Sequence, residues 1–81
     1  MNKESILTAL QSLFQDHFKN DQLLLSPATS QGDIPHWDSL NHAILIDKIE
    51  KQYAIKFDLM DMISMQNIGD ICDKICVKQS S

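Results

Sequence analysis

With 81 residues, 43% of them apolar, the chain has room for one small core, and this apolar share excludes an intrinsically disordered protein. Only two Gly and two Pro interrupt it, which favours helices over a sandwich of many short strands. The formal net charge is -4 and all seven basic residues are lysines, so the clustered Lys and Arg needed for nucleic acid are missing. We therefore expect a single all-α domain over residues 1–81 that binds no nucleic acid.

The first predicted helix runs from Lys3 to Phe18. Its apolar stripe recurs every three or four positions and consists of Ile6, Leu7, Leu10, Leu13, Phe14, His17 and Phe18. The segment Lys19-Asn20-Asp21 then ends the helix. The chain shows no signal-peptide core, and no apolar run is long enough to span a bilayer. We expect a monomeric, cytoplasmic protein that does not insert into membranes.

A long first connection, residues 22–37, has no regular period. Pro27, Gly32 and Pro35 punctuate it, and such residues favour turns. It is nevertheless too apolar for a free linker, because it contains Leu23, Leu24, Leu25, Ile34 and Trp37. We expect a loop that lies across the helices and is pinned by those five side chains.

Capping residues predict where the three remaining helices begin. Asp38 is suited to cap a second helix from Ser39 to about Gln52, and Asp58 a short third helix that ends at Ile63. Asn67 is suited to cap the last helix. The predicted core residues of this half are Leu45, Ile46, Ile49, Tyr53, Phe57, Ile68, Ile71, Cys72 and Ile75. The chain should thus form three longer helices and one short helix.

The two cysteines, Cys72 and Cys76, lie four residues apart on the predicted last helix. A disulfide between them would be strained, and a reducing compartment is expected. We interpret them as one buried residue and one thiol at the helix edge. No third ligand has matching spacing, so we expect no metal site.

The segment Asp33-Ile34-Pro35-His36-Trp37-Asp38-Ser39-Leu40 places a serine at the start of a helix, after an acid and an irregular loop. A helix N-terminus has N–H groups without partners in the helix and a positive dipole end, so it would favour a phosphodiester on Ser39. Taken alone, a serine after a capping Asp38 usually marks only the start of a helix.

The tripeptide Asp38-Ser39-Leu40 resembles the signature of the acyl carrier protein family, the phosphopantetheine-binding carrier domains. The resemblance extends from about Ile6 to Ile75. It includes Pro27, the Asp33-Ile34-Pro35 turn, Trp37, Leu45, Ile46, Ile49, Tyr53, Phe57 and the Asn67-Ile68 helix start. It is greatest to stand-alone bacterial carriers, and it implies a four-helix acyl-carrier-like bundle.

The resemblance also implies a function. In this family a phosphopantetheinyl transferase moves 4′-phosphopantetheine from coenzyme A onto the signature serine, here Ser39, and the acid before it, here Asp38, helps at the transferase interface. Leu40 completes the signature. The arm's thiol carries acyl groups as thioesters, so the expected partners are that transferase, an acyl- or aminoacyl-loading ligase, and acyltransferases or synthases of fatty-acid, polyketide or other specialised pathways. No catalytic residue is expected.

The chain departs from fatty-acid-synthesis carriers, which have a strongly acidic second helix. Asn41 and Ile44 stand where acids are usual, and lysines dilute Asp47 and its neighbours. On a helical wheel Leu40 and Ile44 form an apolar pair opposite the core face. Met60 and Ile63 extend this trend to the third helix. Our hypothesis is an apolar docking face made by Leu40, Ile44, Met60 and Ile63, with Asn41 and Asp47 as further partner-binding residues.

Three histidines offer other readings. His36 and His42 flank Ser39 and could suggest a base or a metal pair, but His42 falls on the core arc and His36 in the loop. His17 ends the first helix, where packing or a favourable charge explains it. Two rival functions stay open: an aminoacyl or peptidyl carrier on the same scaffold, and an unmodified helical protein-binding module. A third rival, a small enzyme, is disfavoured because the sequence shows no nucleophile and base at a recognisable spacing.

Overall fold

Four α-helices carry the chain in a computed structural model that describes residues 2–80, with the side chain of Ser80 left aside. They are α1 (Lys3–Phe18), α2 (Ser39–Tyr53), α3 (Leu59–Ser64) and α4 (Ile68–Ser80), and a 3-10 turn (Gln31–Asp33) lies in the first connection. Over residues 2–80 the β-structure is limited to one isolated bridge. The predicted all-α bundle with three longer helices and one short helix is confirmed. Met1 and Ser81, the ends of the predicted 1–81 domain, lie outside the described residues.

The helices begin at the predicted capping residues. Asp38 Oδ1 accepts the Asn41 N–H at 2.9 Å, and Asp58 Oδ1 accepts the Asp61 N–H at 2.7 Å. Asn67 Oδ1 accepts the Asp70 N–H at 2.8 Å, so all three predicted N-caps are confirmed. The helix ends differ slightly, because α2 continues to Tyr53 and α3 to Ser64.

The core is formed by the predicted apolar stripes. The side chains with almost no exposed surface come from three helices: Ile6, Leu10, Phe14, Leu45, Ile49, Ile68, Ile71 and Ile75. Tyr53 is only half-buried, whereas Phe57 and Cys72 lie in the core as predicted. No helix of residues 2–80 is both long enough and apolar enough to cross a membrane.

The long loop is pinned by four of the five predicted side chains. Leu25, Ile34 and Trp37 are buried, and Leu23 is half-buried against the core. The prediction for Leu24 is wrong, because its side chain is 76% exposed. Leu23 and Leu25 pack on the core, and Leu24 between them points to solvent.

Hydrogen bonds from α1 hold the first half of this loop. The Leu25 N–H donates to Gln11 Oε1 at 2.9 Å, and the Gln15 side chain donates to the Leu23 carbonyl at 2.8 Å. Two polar residues of the α1 surface thus satisfy backbone groups of an irregular segment.

The middle of the loop covers the start of α4. The Ile68 N–H donates to the Thr29 carbonyl and the Gly69 N–H to the Pro27 carbonyl, each at 2.9 Å. Loop carbonyls therefore partner two N–H groups that a helix N-terminus cannot satisfy internally. A Cβ on Gly69 would lie 3.1 Å from the Pro27 oxygen, so this close approach favours glycine.

Asp61 ties the short helix α3 to α4. Its carboxylate lies 3.2 Å from Lys74 Nζ and 3.0 Å from Lys78 Nζ. The hydrogen bond from Lys78, with further bonds from the Asp58 N–H and Lys74, lowers the pKa of Asp61 to about 2. The two lysines thus bind a carboxylate of another helix as well as lying near the C-terminus of α4, where the dipole favours cations.

Candidate functional site

Ser39 is the first residue of α2 and is exposed to solvent. Asp38, with extended backbone, turns its carboxylate back onto the Asn41 N–H, and its own carbonyl accepts the His42 N–H at 2.8 Å. The capping carboxylate is therefore engaged with the backbone of the first turn. The helix is 15 residues long, so Ser39 stands at the positive end of a full macrodipole.

A constrained turn leads into Ser39. His36 has a φ of 71°, in the left-handed region that few residues with a side chain adopt. Its carbonyl accepts the Asp38 N–H at 3.0 Å, and the Trp37 N–H donates to the Ile34 carbonyl at 3.2 Å. The backbone before the serine is thus held in one arrangement and is locally strained. His36 itself is an exposed loop residue, as predicted.

Trp37 anchors this turn in the core, as predicted. Its side chain is buried and packs edge-on against Phe14, with ring centroids 5.1 Å apart at 89°. Its indole Nε1–H donates to His42 Nδ1 at 3.2 Å. Since an indole can only donate, Nδ1 of His42 accepts and its proton lies on Nε2.

His42 is buried on the inner face of α2, as the helical wheel predicted. Among residues 2–80 its buried Nε2 finds no hydrogen-bond partner, and burial lowers the pKa of His42. A neutral imidazole that accepts from Trp37 serves packing and loop attachment. It is unsuited to act as a base on Ser39, because the buried ring faces inward while the serine faces solvent.

Asn41, predicted to bind partners, uses its side chain within the protein. Its Oδ1 lies 2.9 Å from Nε2 of His17 on α1, and its Nδ2 donates to the His36 carbonyl at 2.8 Å. Nδ2 also lies 3.3 Å from an oxygen of Asp38. Sequence reasoning missed this link, because His17 and Asn41 are 24 residues apart.

The apolar side chains predicted near Ser39 are exposed. Leu40 is 71% exposed and Ile44 39%, while on α3 Met60 is 72% and Ile63 61% exposed. Leu59, which the sequence analysis did not single out, is 72% exposed as well. Its position as first residue of a six-residue helix, four before Ile63, was the signal that could have identified it.

Asp47 is exposed and pairs with Lys51 one turn later at 3.0 Å.

A hollow of about 360 Å³ opens between the 3-10 turn, His42 and the end of α3, where Met62, Ile63 and Met65 line it. Among residues 2–80 no cluster of three or more His, Cys, Asp or Glu side chains is placed to hold a metal ion.

Comparison with known proteins adds independent information. No protein-family model matches the chain, and no curated protein is significantly similar to it. Among solved structures, it is similar to the solution NMR structure of a holo acyl carrier protein from Geobacter metallireducens. The two are 39% identical with a TM-score of 0.86, over 91% of this chain and 85% of that one. The similarity therefore covers sequence as well as fold.

Proposed function

The chain belongs to the acyl carrier protein family, and on that premise we propose that it carries acyl groups as thioesters on a 4′-phosphopantetheine arm attached to Ser39. Members of this family are carriers and not catalysts. The observation that carries the proposal is the exposed serine at the N-terminus of α2, preceded by the capping Asp38, in a chain 39% identical to a holo carrier.

The residues around Ser39 fit a covalent phosphodiester. The serine is exposed, and it stands at the N-terminus of α2, where the helix dipole favours negative charge. In the proposed modification, Ser39 Oγ would form a bond to the β-phosphorus of coenzyme A while the bond from that phosphorus to the bridging pyrophosphate oxygen breaks. The 3′,5′-ADP part would leave, and the serine proton would pass to a base of the modifying enzyme or to solvent. The bound arm supplies a thiol on which acyl groups travel as thioesters.

The turn before Ser39 determines how the serine is presented. Trp37 fixes the turn to the core, and Asp38 fixes the first helical turn by accepting the Asn41 N–H. The large enzyme that modifies the serine therefore meets a prearranged backbone, which reduces the entropic cost of binding. We assign Asp38 and Leu40 to this encounter, because both side chains are exposed on either side of the serine.

The partner enzymes are proposed to dock on the apolar face made by Leu40, Ile44, Met60 and Ile63. Exposed Leu, Ile and Met side chains pack well against an apolar surface of a partner enzyme. A basic groove on the partner would instead suit a strongly acidic carrier. Asp47 borders this face on α2, and its pairing with Lys51 reduces its net charge there. Asn41 contributes by orienting the turn, since its amide is already hydrogen-bonded inside the protein.

The proposed partners are a phosphopantetheinyl transferase, a loading ligase, and acyltransferases or synthases of a fatty-acid, polyketide or other specialised pathway in the cytoplasm. A loading experiment tests the cargo. Protein co-expressed with a transferase is incubated with ATP and either a fatty-acid ligase or an adenylating amino-acid enzyme. We expect an acyl group that hydroxylamine releases, present on wild type and absent from Ser39→Ala. Loading by the adenylating amino-acid enzyme alone would contradict acyl cargo.

A further inference from the structure

A hydrogen-bonded chain joins the end of α1 to the turn before Ser39. Lys48 Nζ lies 3.0 Å from His17 Nδ1, and His17 Nε2 lies 2.9 Å from Asn41 Oδ1. Asn41 Nδ2 then donates to the His36 carbonyl at 2.8 Å. Four residues from α1, α2 and the loop are thus connected in series.

The direction of every bond in this chain follows from its two ends. The His36 carbonyl can only accept, so the Asn41 amide turns its nitrogen toward it and its oxygen toward His17. His17 must then donate from Nε2. The Lys48 ammonium can only donate, so His17 accepts at Nδ1. All donors and acceptors agree with one neutral tautomer of His17. Hydrogen bonds connected in series polarise one another, so each bond is strengthened by the others.

The hydrogen-bonded series from Lys48 to His36 ends on a residue with strained backbone. His36 has a φ of 71°, which persists only where surrounding contacts hold it. Its carbonyl is fixed from two sides, by the Asp38 N–H at 3.0 Å and by the Asn41 amide. Without His17 the amide of Asn41 would keep its nitrogen on the His36 carbonyl and near Asp38 Oδ1, but its oxygen would lose its partner on α1, so the donor to the carbonyl would be held from one end only.

We propose that His17 is a positioning residue for the attachment site: through Asn41 it holds the His36–Asp38 turn in the arrangement that presents Ser39 to the modifying enzyme. This inference rests on the proposed function, because the enzyme meant is the phosphopantetheinyl transferase. His17 touches neither the serine nor the arm and acts through Asn41.

The variant that tests this is His17→Phe. It keeps a ring against Phe18, whose centroid lies 4.9 Å away, and removes both hydrogen bonds. The matched control is Gln15→Met, which removes another hydrogen bond from α1 to the loop, at the Leu23 carbonyl far along the chain from Ser39. His17→Gln is the conservative variant, since an amide can donate to Asn41 again.

Steady-state transfer from coenzyme A separates positioning from general loss of stability. For His17→Phe we expect kcat to fall about ten-fold with KM changed less than about two-fold, because misplacing a nucleophile slows the chemical step. Gln15→Met should keep the wild-type kcat, and His17→Gln should recover to within about three-fold of it. Equal kcat values for His17→Phe and wild type, or equal losses in His17→Phe and Gln15→Met, would overturn the proposal.

Backbone amide NMR spectra of the unmodified protein give a second readout that needs no transferase. The amide signals of His36, Trp37 and Ser39 should shift in His17→Phe and stay in place in Gln15→Met. If wild type accepts no arm from any transferase, the proposed function fails while these shifts still decide the positioning role. Unchanged signals at the three residues in His17→Phe would refute it.

Discussion

Trp37 Nε1 donates a hydrogen bond to His42 Nδ1 across 3.2 Å, and this bond joins the last residue of the anchored loop to the inner face of α2. Ser39 lies between the two residues in sequence and is exposed, while both partners are buried. The attachment site is therefore an exposed position on a short segment that is fastened to the core on both sides.

The burial of His42 makes stability depend on pH. Burial lowers the pKa of His42 in the folded protein below the ordinary value of 6.5, so the unfolded chain binds the proton more readily. Stability should be fully present above about pH 6.5 and should fall as the pH drops from there toward the lower folded pKa. A protonated Nδ1 would also face the indole N–H of Trp37 with a donor.

Urea unfolding between pH 7.5 and 5 measures this effect. For His42→Asn we expect lower stability at pH 7.5 by about 1–2 kcal/mol, because the smaller side chain leaves space beside Trp37 in the core, and a flatter pH profile, because an amide does not titrate. His36→Asn, at an exposed position where Asn tolerates a positive φ, should keep the wild-type profile. A wild-type profile in His42→Asn would contradict the assignment.

The two glycines should respond to alanine in opposite ways. In Gly69→Ala the new Cβ would lie 3.1 Å from the Pro27 oxygen and 3.3 Å from Asn67 Oδ1, so the loop must shift. We expect a loss of about 1 kcal/mol, although alanine normally stabilises a helix over glycine. A Cβ on Gly32 would meet no atom of residues 2–80 within 4 Å apart from its chain neighbours, so Gly32→Ala should be neutral or gain about 0.5 kcal/mol. Thermal unfolding of both variants measures these changes in stability. A stabilised Gly69→Ala would disprove the close packing of Gly69 against Pro27.

Cysteine reactivity should distinguish the two thiols of α4. Burial raises the pKa of Cys72 to about 11, and the side chain is buried, whereas Cys76 is half-buried. Because the thiolate is the reactive form, iodoacetamide at pH 8 should modify Cys76 and leave Cys72 protected until the protein is unfolded. Peptide mass spectrometry after short labelling checks this. Equal labelling of both residues in the native protein would show that α4 does not pack as described.

The proposed docking face predicts a specific loss of partner binding. Ile44→Glu should lower kcat/KM for acyl transfer with cognate enzymes by about ten-fold, because a charge replaces a side chain that an apolar partner surface would bury. Val77→Glu is the matched control, since Val77 is 64% exposed on α4 and lies outside the proposed face. Undiminished transfer by Ile44→Glu would discard the face, as would an equal loss in Val77→Glu.

Local rules predicted most of the helical structure. The N-caps Asp38, Asp58 and Asn67 depend on contacts three residues away, so the sequence contains the information needed to place them. The core stripes follow from the period of the helix in the same way. The exposed setting of Ser39 was predictable for the same reason, because it depends on the cap beside it.

Long-range contacts were not predictable from one sequence. The pairing of Asp61 with Lys74 and Lys78, and the link from His17 to Asn41, depend on how helices are placed relative to each other. The Thr29 carbonyl reaches the start of α4 only because of the path that an irregular loop takes. A loop without a regular period gives no sequence pattern from which that path can be predicted. The prediction that Leu24 pins the loop was wrong for a related reason. The apolar character of a loop residue does not show which way its side chain points.

The central claim is that the Ser39 hydroxyl becomes a phosphate ester, and site-resolved mass spectrometry tests it most directly. Unmodified protein is incubated with coenzyme A, Mg²⁺ and a broad-specificity phosphopantetheinyl transferase, and then digested and fragmented. We expect one phosphopantetheinyl group on the peptide containing Ser39 in wild type and in the control Ser64→Ala, and none in Ser39→Ala. No gain of mass in wild type with any competent transferase, or the same gain in Ser39→Ala, would contradict the account.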